Sequence, residues 1–229
     1  MTKSRKISYT NEMVLAREAG RKRMTRRIMN PQPFQNHCAE EFTLVDCDEG
    51  SWLEMRNDGG ITGEWHDCPQ GAVGDHLWLQ EGYRVDTDIG AYTGNDVYPN
   101  LSRIVEGVYL ADDAHFTVEL TEHEYELWMK RKFCNRATPG RFMYRSLSRS
   151  TDKITNIRVE RVQDISEDDA KDEGVPVRCD CGECVDGNHR AMFEDLWNKI
   201  NGKKADWESN PWVWVIEFEP VLRGTTDGK

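Results

Sequence analysis

The sequence predicts an α+β fold, and three observations carry that expectation. Trp212 to Glu219 is apolar almost without a break at its start and rich in β-branched and aromatic side chains, as a central or closing strand demands. Lys153 to Val162 alternates, with Ile157, Val159 and Arg161 on one face. Residues 190–200 bring Met192, Phe193, Leu196, Trp197 and Ile200 onto one broad apolar helical face.

The remaining elements follow in chain order. Asn11 is suited to cap a short helix that stops at Gly20, a residue able to leave in a left-handed conformation. Phe42 to Val45 and Ser51 to Met55 are short strands, and the turn-prone Asp-Glu-Gly and Asn-Asp-Gly-Gly that follow each of them predict a small antiparallel excursion within 34–66. Residues 68–75 form a turn-rich entry to His76–Glu81, where Leu77 and Leu79 share a face opposite Trp78. Phe116 to Leu120 reads as a strand, and Thr121 with Glu124 forms a capping box for the helix after it. Arg141 to Arg145 is predicted extended. Ser166 caps the next helix, with Asp169 imitating the capping-box acid; Asp172 and Glu173 sit at the unfavourable C-terminal end, just before Gly174.

The stretch Gly20 to Arg27 holds five cationic side chains and one hydroxyl. If the chain straightens after Gly20, alternation puts Lys22, Met24 and Arg26 on one side and Arg23, Thr25 and Arg27 on the other. If it curls, Lys22 and Thr25 approach through their spacing of three. A lysine beside a hydroxyl in a positive field can bind a phosphate or polarise a carbonyl; the alternative is a solvated basic segment. A Glu173 turned inward would orient Lys22 or relay its proton.

Charge and cysteine usage narrow the function classes. Residues 1–33 contain nine Lys or Arg against two Glu, a balance of +7 within a total of −11, so the remainder carries −18. That excess disfavours an extended duplex DNA footprint, which needs many phosphate contacts, and favours a local site. No apolar run is long enough to cross a membrane, and no apolar signal region follows the basic N-terminus, so a cytoplasmic protein is expected. Seven cysteines, an odd number, do not make a secreted disulfide framework. Cys179, Cys181 and Cys184, with His189, have the chemistry of a tetrahedral structural zinc site. The alternatives are a redox pair at Cys181 and Cys184, or unmodified thiols.

Gly20 to Arg27, the Val73-Gly74-Asp75-His76-Leu77-Trp78 turn and strand, Asn156 to Val175, Phe193 to Ile200 and Trp212 to Phe218 occur in the order of the ASCH family. The chain resembles that family, within the PUA-like superfamily, and is most similar to its bacteriophage and prophage members. The resemblance implies a small antiparallel β-barrel with flanking helices. It implies one domain over 1–221, insertions near 34–66 and 84–135, a flexible tail at 222–229, and the host cytoplasm as the location if the chain is phage-encoded. The family includes amidohydrolases that remove the acetyl group of N4-acetylcytidine through a lysine, a threonine and a glutamate. By motif these fall on Lys22, Thr25 and Glu173, and a nearby family arginine falls on Arg27. Arg23 stands where the small enzymes commonly have threonine.

The implied chemistry is hydrolysis of an exocyclic N-acyl group on a cytidine-like nucleoside, with no cofactor required. Lys22 is the base, Thr25 the nucleophile or the residue that positions water, and Glu173 the orienting group or proton relay. Arg23, Arg26 and Arg27 are candidate substrate contacts, and Trp78 and Tyr83 candidate aromatic platforms. The alternative is a non-catalytic module that binds short single-stranded RNA or a modified base.

Overall fold

A computed structural model describes residues 2–33, 42–47, 51–56, 61–85, 103–131, 136–175 and 188–221. In chain order the elements are β1 (Ser4–Ser8), α1 (Asn11–Glu18), β2 (Met24–Ile28), β3 (Phe42–Asp46), β4 (Ser51–Arg56), β5 (Ile61–Asp67), β6 (His76–Gln80) and β7 (Tyr83–Val85). They continue with β8 (Ile104–Tyr109), β9 (His115–Glu119), α2 (Glu122–Arg131), β10 (Ala137–Thr138), β11 (Thr151–Arg161), α3 (Glu167–Asp172), α4 (His189–Asn201) and β12 (Trp212–Pro220). The chain groups into two compact units: 1–5, 16–77 and 152–229 form one, 6–15 and 78–151 the other.

In the first unit β12 is central, as its apolar sequence requires. It pairs antiparallel with β11 on one side and with β2 on the other. Alternation separates two faces of this sheet. Met24, Val213 and Val215 join Val162, Ile165, Phe193, Trp197 and Trp207 in a core beneath α3 and α4. On the opposite face Trp214 packs edge-on against Trp52 of β4, ring centroids 5.2 Å apart, bringing the β3-β4-β5 sheet over it. The carboxylate of Glu167 accepts from the amides of His189 and Arg190, so an acid on α3 satisfies the exposed donors that open α4.

In the second unit the sheet β10-β7-β8-β9 carries a core that includes Tyr83, Val105, Tyr109, Phe116 and Trp128. The capping box at α2 forms as its sequence predicts: Glu124 N–H donates to Thr121 Oγ1 at 3.3 Å, and Thr121 N–H donates to Glu124 Oε2 at 3.1 Å. At α1 the cap is Thr10 rather than Asn11, its hydroxyl accepting from Met13 N–H. Residues 141–145, expected extended, contribute instead to two 3₁₀ turns, Gly140–Phe142 and Arg145–Leu147. Gly140 lies so close to the Gln80 carbonyl that a Cβ there would come within 2.9 Å of its oxygen, and the chain bends past it.

The α+β class holds, but the small closed barrel expected from the resemblance does not form. The largest sheet is open, in the order β1-β6-β11-β12-β2, and the other two sheets are open as well. The reason lies at β2. Among the described residues no strand pairs with its outer edge, and the chain just before it meets the end of α3 through an isolated antiparallel bridge between Lys22 and Glu173, where a closing barrel would need another strand. Among the described residues, no helix is long and apolar enough to cross a membrane.

Candidate functional site

Three local features deliver Lys22 to Glu173. Gly20 takes φ +70°, ending α1, and the amides of Arg21 and Lys22 both donate to the Ala16 carbonyl. The chain then straightens into β2, with Arg23 N–H donating to the Asp172 carbonyl at 2.7 Å. At the far end of α3, Gly174 takes φ +80°, the left-handed turn that commonly ends a helix, and leaves Glu173 facing inward.

Lys22 is 4% exposed. Its Nζ donates to Glu173 Oε2 at 2.7 Å, to the Glu173 carbonyl at 2.8 Å and to the Met24 carbonyl at 2.9 Å. Burial lowers the pKa of this amine below the ordinary lysine value; the Glu173 charge opposes the shift, and Arg27 and Arg26 reinforce it.

Glu173 is shared. Its Oε1 accepts from Arg26 Nη1 at 3.4 Å. The rest of the Arg26 fork reaches Glu160 Oε1, at 2.9 and 2.5 Å, and Asp169 Oδ2 at 2.7 Å. Burial works against the Arg26 charge, but the carboxylates of Glu173 and Glu160 hold its pKa above the ordinary arginine value. Arg158 extends the network to Asp169 at 2.5 Å and to Glu217. A cleft of 540 Å³ lies alongside, lined in part by Arg21, Arg23, Asp172 and His189, residues that include the chain neighbours of Lys22 and one of Glu173.

The sequence-predicted residues divide clearly. Lys22, Arg26 and Glu173 come together. Thr25 is buried on β2, paired with Ile216, on the face that carries Trp214. Among the described residues no side-chain hydrogen bond joins it to Lys22 or Glu173. Arg27 shares that opposite face and is half-buried, while Arg23 is exposed with its Nε donating to the Gly20 carbonyl. Trp78 and Tyr83 belong to the second unit. Tyr83 is fully buried in its core, so it is no platform for a base, and Trp78 lies under the Arg145 guanidinium at 5.6 Å.

Cys179, Cys181 and Cys184 lie outside the described residues. His189 opens α4 with its Nδ1 buried and without a hydrogen-bond partner among the described residues, which also contain no cluster of three metal-ligating side chains.

Sequence reasoning missed Glu160, Arg158 and the true role of Asp169. The signal was present: Arg158 and Glu160 alternate onto the Arg26 face of β11, and their register partners on β12 are Val215 and Val213. It also missed a buried pair on the three-stranded sheet, His66 Nε2 with Glu54 Oε1 at 2.6 Å. Comparison with protein-family models, curated proteins and solved structures finds no match.

Proposed function

We propose that the chain hydrolyses an exocyclic N-acyl group on a cytidine-like nucleoside, with Lys22 and Glu173 as the acid–base couple. The observation that carries this reading is the buried amine whose pKa burial lowers, bonded at 2.7 Å to a carboxylate. Perturbed amines of this kind beside a cleft are characteristic of proton-transfer sites. Neutral Lys22 takes a proton as a water attacks the acyl carbon, which leaves as the free acid. The new C–O bond forms, the amide C–N bond breaks, and the proton passes to the departing exocyclic nitrogen, directly or through Glu173. The resemblance to ASCH amidohydrolases supplies the substrate class.

A second reading, a module that binds short single-stranded RNA or a modified base without cleaving it, is favoured by a different observation. The three acceptors around Lys22 match the three protons of an ammonium, which is the arrangement of a structural ion pair.

Incubation with a panel of N4-acylated cytidines, followed by detection of the released acid, separates the two. Release that disappears in Lys22→Ala and Glu173→Gln, both shown to be folded by circular dichroism, supports hydrolysis. Nucleoside binding without release supports the second reading.

A further inference from the structure

We propose that a groove along the outer edge of β2 is a binding site for a nucleoside monophosphate, distinct from the Lys22–Glu173 couple and resting on its own lining. The groove measures 670 Å³, within the range of small-molecule sites. Its wall includes Arg26, Arg27, Ile28, Asn30, Asn201 and Lys204.

The register of β2 shows what the floor offers. Met29 N–H donates to the Trp212 carbonyl, and Phe218 N–H donates to the Arg23 carbonyl. Odd-numbered residues of β2 therefore bond to β12, and the N–H and C=O groups of Met24, Arg26 and Ile28 point the other way. No described strand pairs with that side. Arg26 confirms the geometry by its exposure: the residue is 5% accessible while its side chain is 0%, so the groove meets its main chain.

The edge is short. The Met24 carbonyl is taken by Lys22 Nζ. At the other end the strand stops at Ile28, and beyond it the Gln32 amide bridges Met29 and Trp212 on the inner, β12 side. What remains is two outward-facing residues, Arg26 and Ile28, spaced about 7 Å along the strand. That length holds alternating donors and acceptors for one planar heterocycle and is too short for a peptide strand of useful length.

The charge of the lining completes the argument. In a chain of net charge −11, the described lining of this groove carries the cations Arg27 and Lys204 and no carboxylate. The amides of Asn30, Gln70 and Asn201 add neutral hydrogen-bonding capacity. A base edge on the Arg26–Ile28 main chain with a phosphate at Arg27 and Lys204 uses both features at once. A free nucleoside uses only the first, and inorganic phosphate only the second.

Isothermal titration of the full chain with the four common nucleoside 5′-monophosphates, cytidine, inorganic phosphate and an acidic heptapeptide tests this. At least one monophosphate is expected to bind at least about tenfold more tightly than cytidine or phosphate. Lys204→Glu, at an exposed position, should weaken that binding about tenfold or more. Ile28→Pro deletes one outward N–H without removing a bond to β12, and should weaken it as well while the fold, checked by circular dichroism, persists. Binding no tighter than that of phosphate alone, or an unaffected Lys204→Glu, overturns the proposal. Peptide binding that no nucleotide displaces overturns it in favour of strand addition. None of these readouts requires acyl release, so they stand or fall apart from the hydrolase reading.

Discussion

Gly174 touches Lys22 where a larger residue would not fit: a Cβ at position 174 would come 2.7 Å from the Lys22 Cβ and 2.8 Å from that of Ala16. The backbone there has φ +80°, a conformation that costs an L-residue energy even in open space. The contact makes the glycine part of what holds the lysine against Glu173. Gly174→Ala should therefore destabilise the protein by about 2 kcal/mol or more, through strain and overpacking together. Urea denaturation reads the loss, and an unchanged midpoint would show that the helix end relaxes without moving Lys22.

The Lys22 amine gives a pH dependence of defined sign. Its folded pKa lies below the ordinary lysine value of 10.5, so below the folded value both states are protonated and the cost of burying the ammonium is at its full size. Between the two values the unfolded chain holds more protons, and stability rises with pH. Relative to Lys22→Met, which does not titrate, the native protein should gain stability across that window. Acyl release, if it uses the neutral amine, should rise over the same limb when followed from about pH 6 to about pH 10. A flat profile in both measurements would remove Lys22 as a titrating group.

Arg26 faces three carboxylates, and its removal should be costly. Arg26→Ala leaves Glu160, Asp169 and Glu173 crowded without the guanidinium that separates them, with an expected loss of about 3–5 kcal/mol. Arg26→Lys should recover little, because an ammonium does not reproduce the planar fork that reaches all three. Thermal unfolding of both variants checks this, and a lysine variant equal to the native protein would show that charge alone suffices.

Asp152 titrates with the opposite sign to Lys22. It is fully buried; Arg17 donates to its Oδ1, while Oδ2 has no hydrogen-bond partner among the described residues. Burial raises its pKa above the ordinary 3.8, with Arg17 opposing. The stabilising contribution of the protonated form is thus complete below 3.8 and disappears as pH climbs through the folded value. Measured against Asp152→Asn, native stability should fall over that interval and level off above it. A rise over the same interval would mean that Arg17 outweighs burial.

Legibility in the sequence tracked the distance over which each feature is determined. The Thr121–Glu124 box and the Gly20 turn are set within four residues, and both were readable. Alternation along β2 also placed Lys22 and Thr25 on opposite sides, once the strand rather than the curl is known to form. Closure was another matter. Whether β2 meets a further strand or the end of α3 depends on a bridge spanning 151 residues, Lys22 to Glu173, and no local pattern encodes it. Asp169 shows the same limit: its amide serves the Ser166 cap as expected, but its carboxylate reaches Arg26 and Arg158, partners fixed only by packing.

The short exposed edge of β2 also bears on how copies of this protein behave when crowded. Unpaired strand edges template the stacking of one chain on another, and natural sheets blunt them with charges, brevity or local obstruction. Here a side-chain hydrogen bond from Lys22 occupies the Met24 carbonyl at one end, the strand stops at Ile28 at the other, and Arg27 adds positive charge between them. A strand so interrupted offers a neighbour too few amides to nucleate a shared sheet. The feature that leaves room for a small ligand therefore also guards the fold against intermolecular β-aggregation.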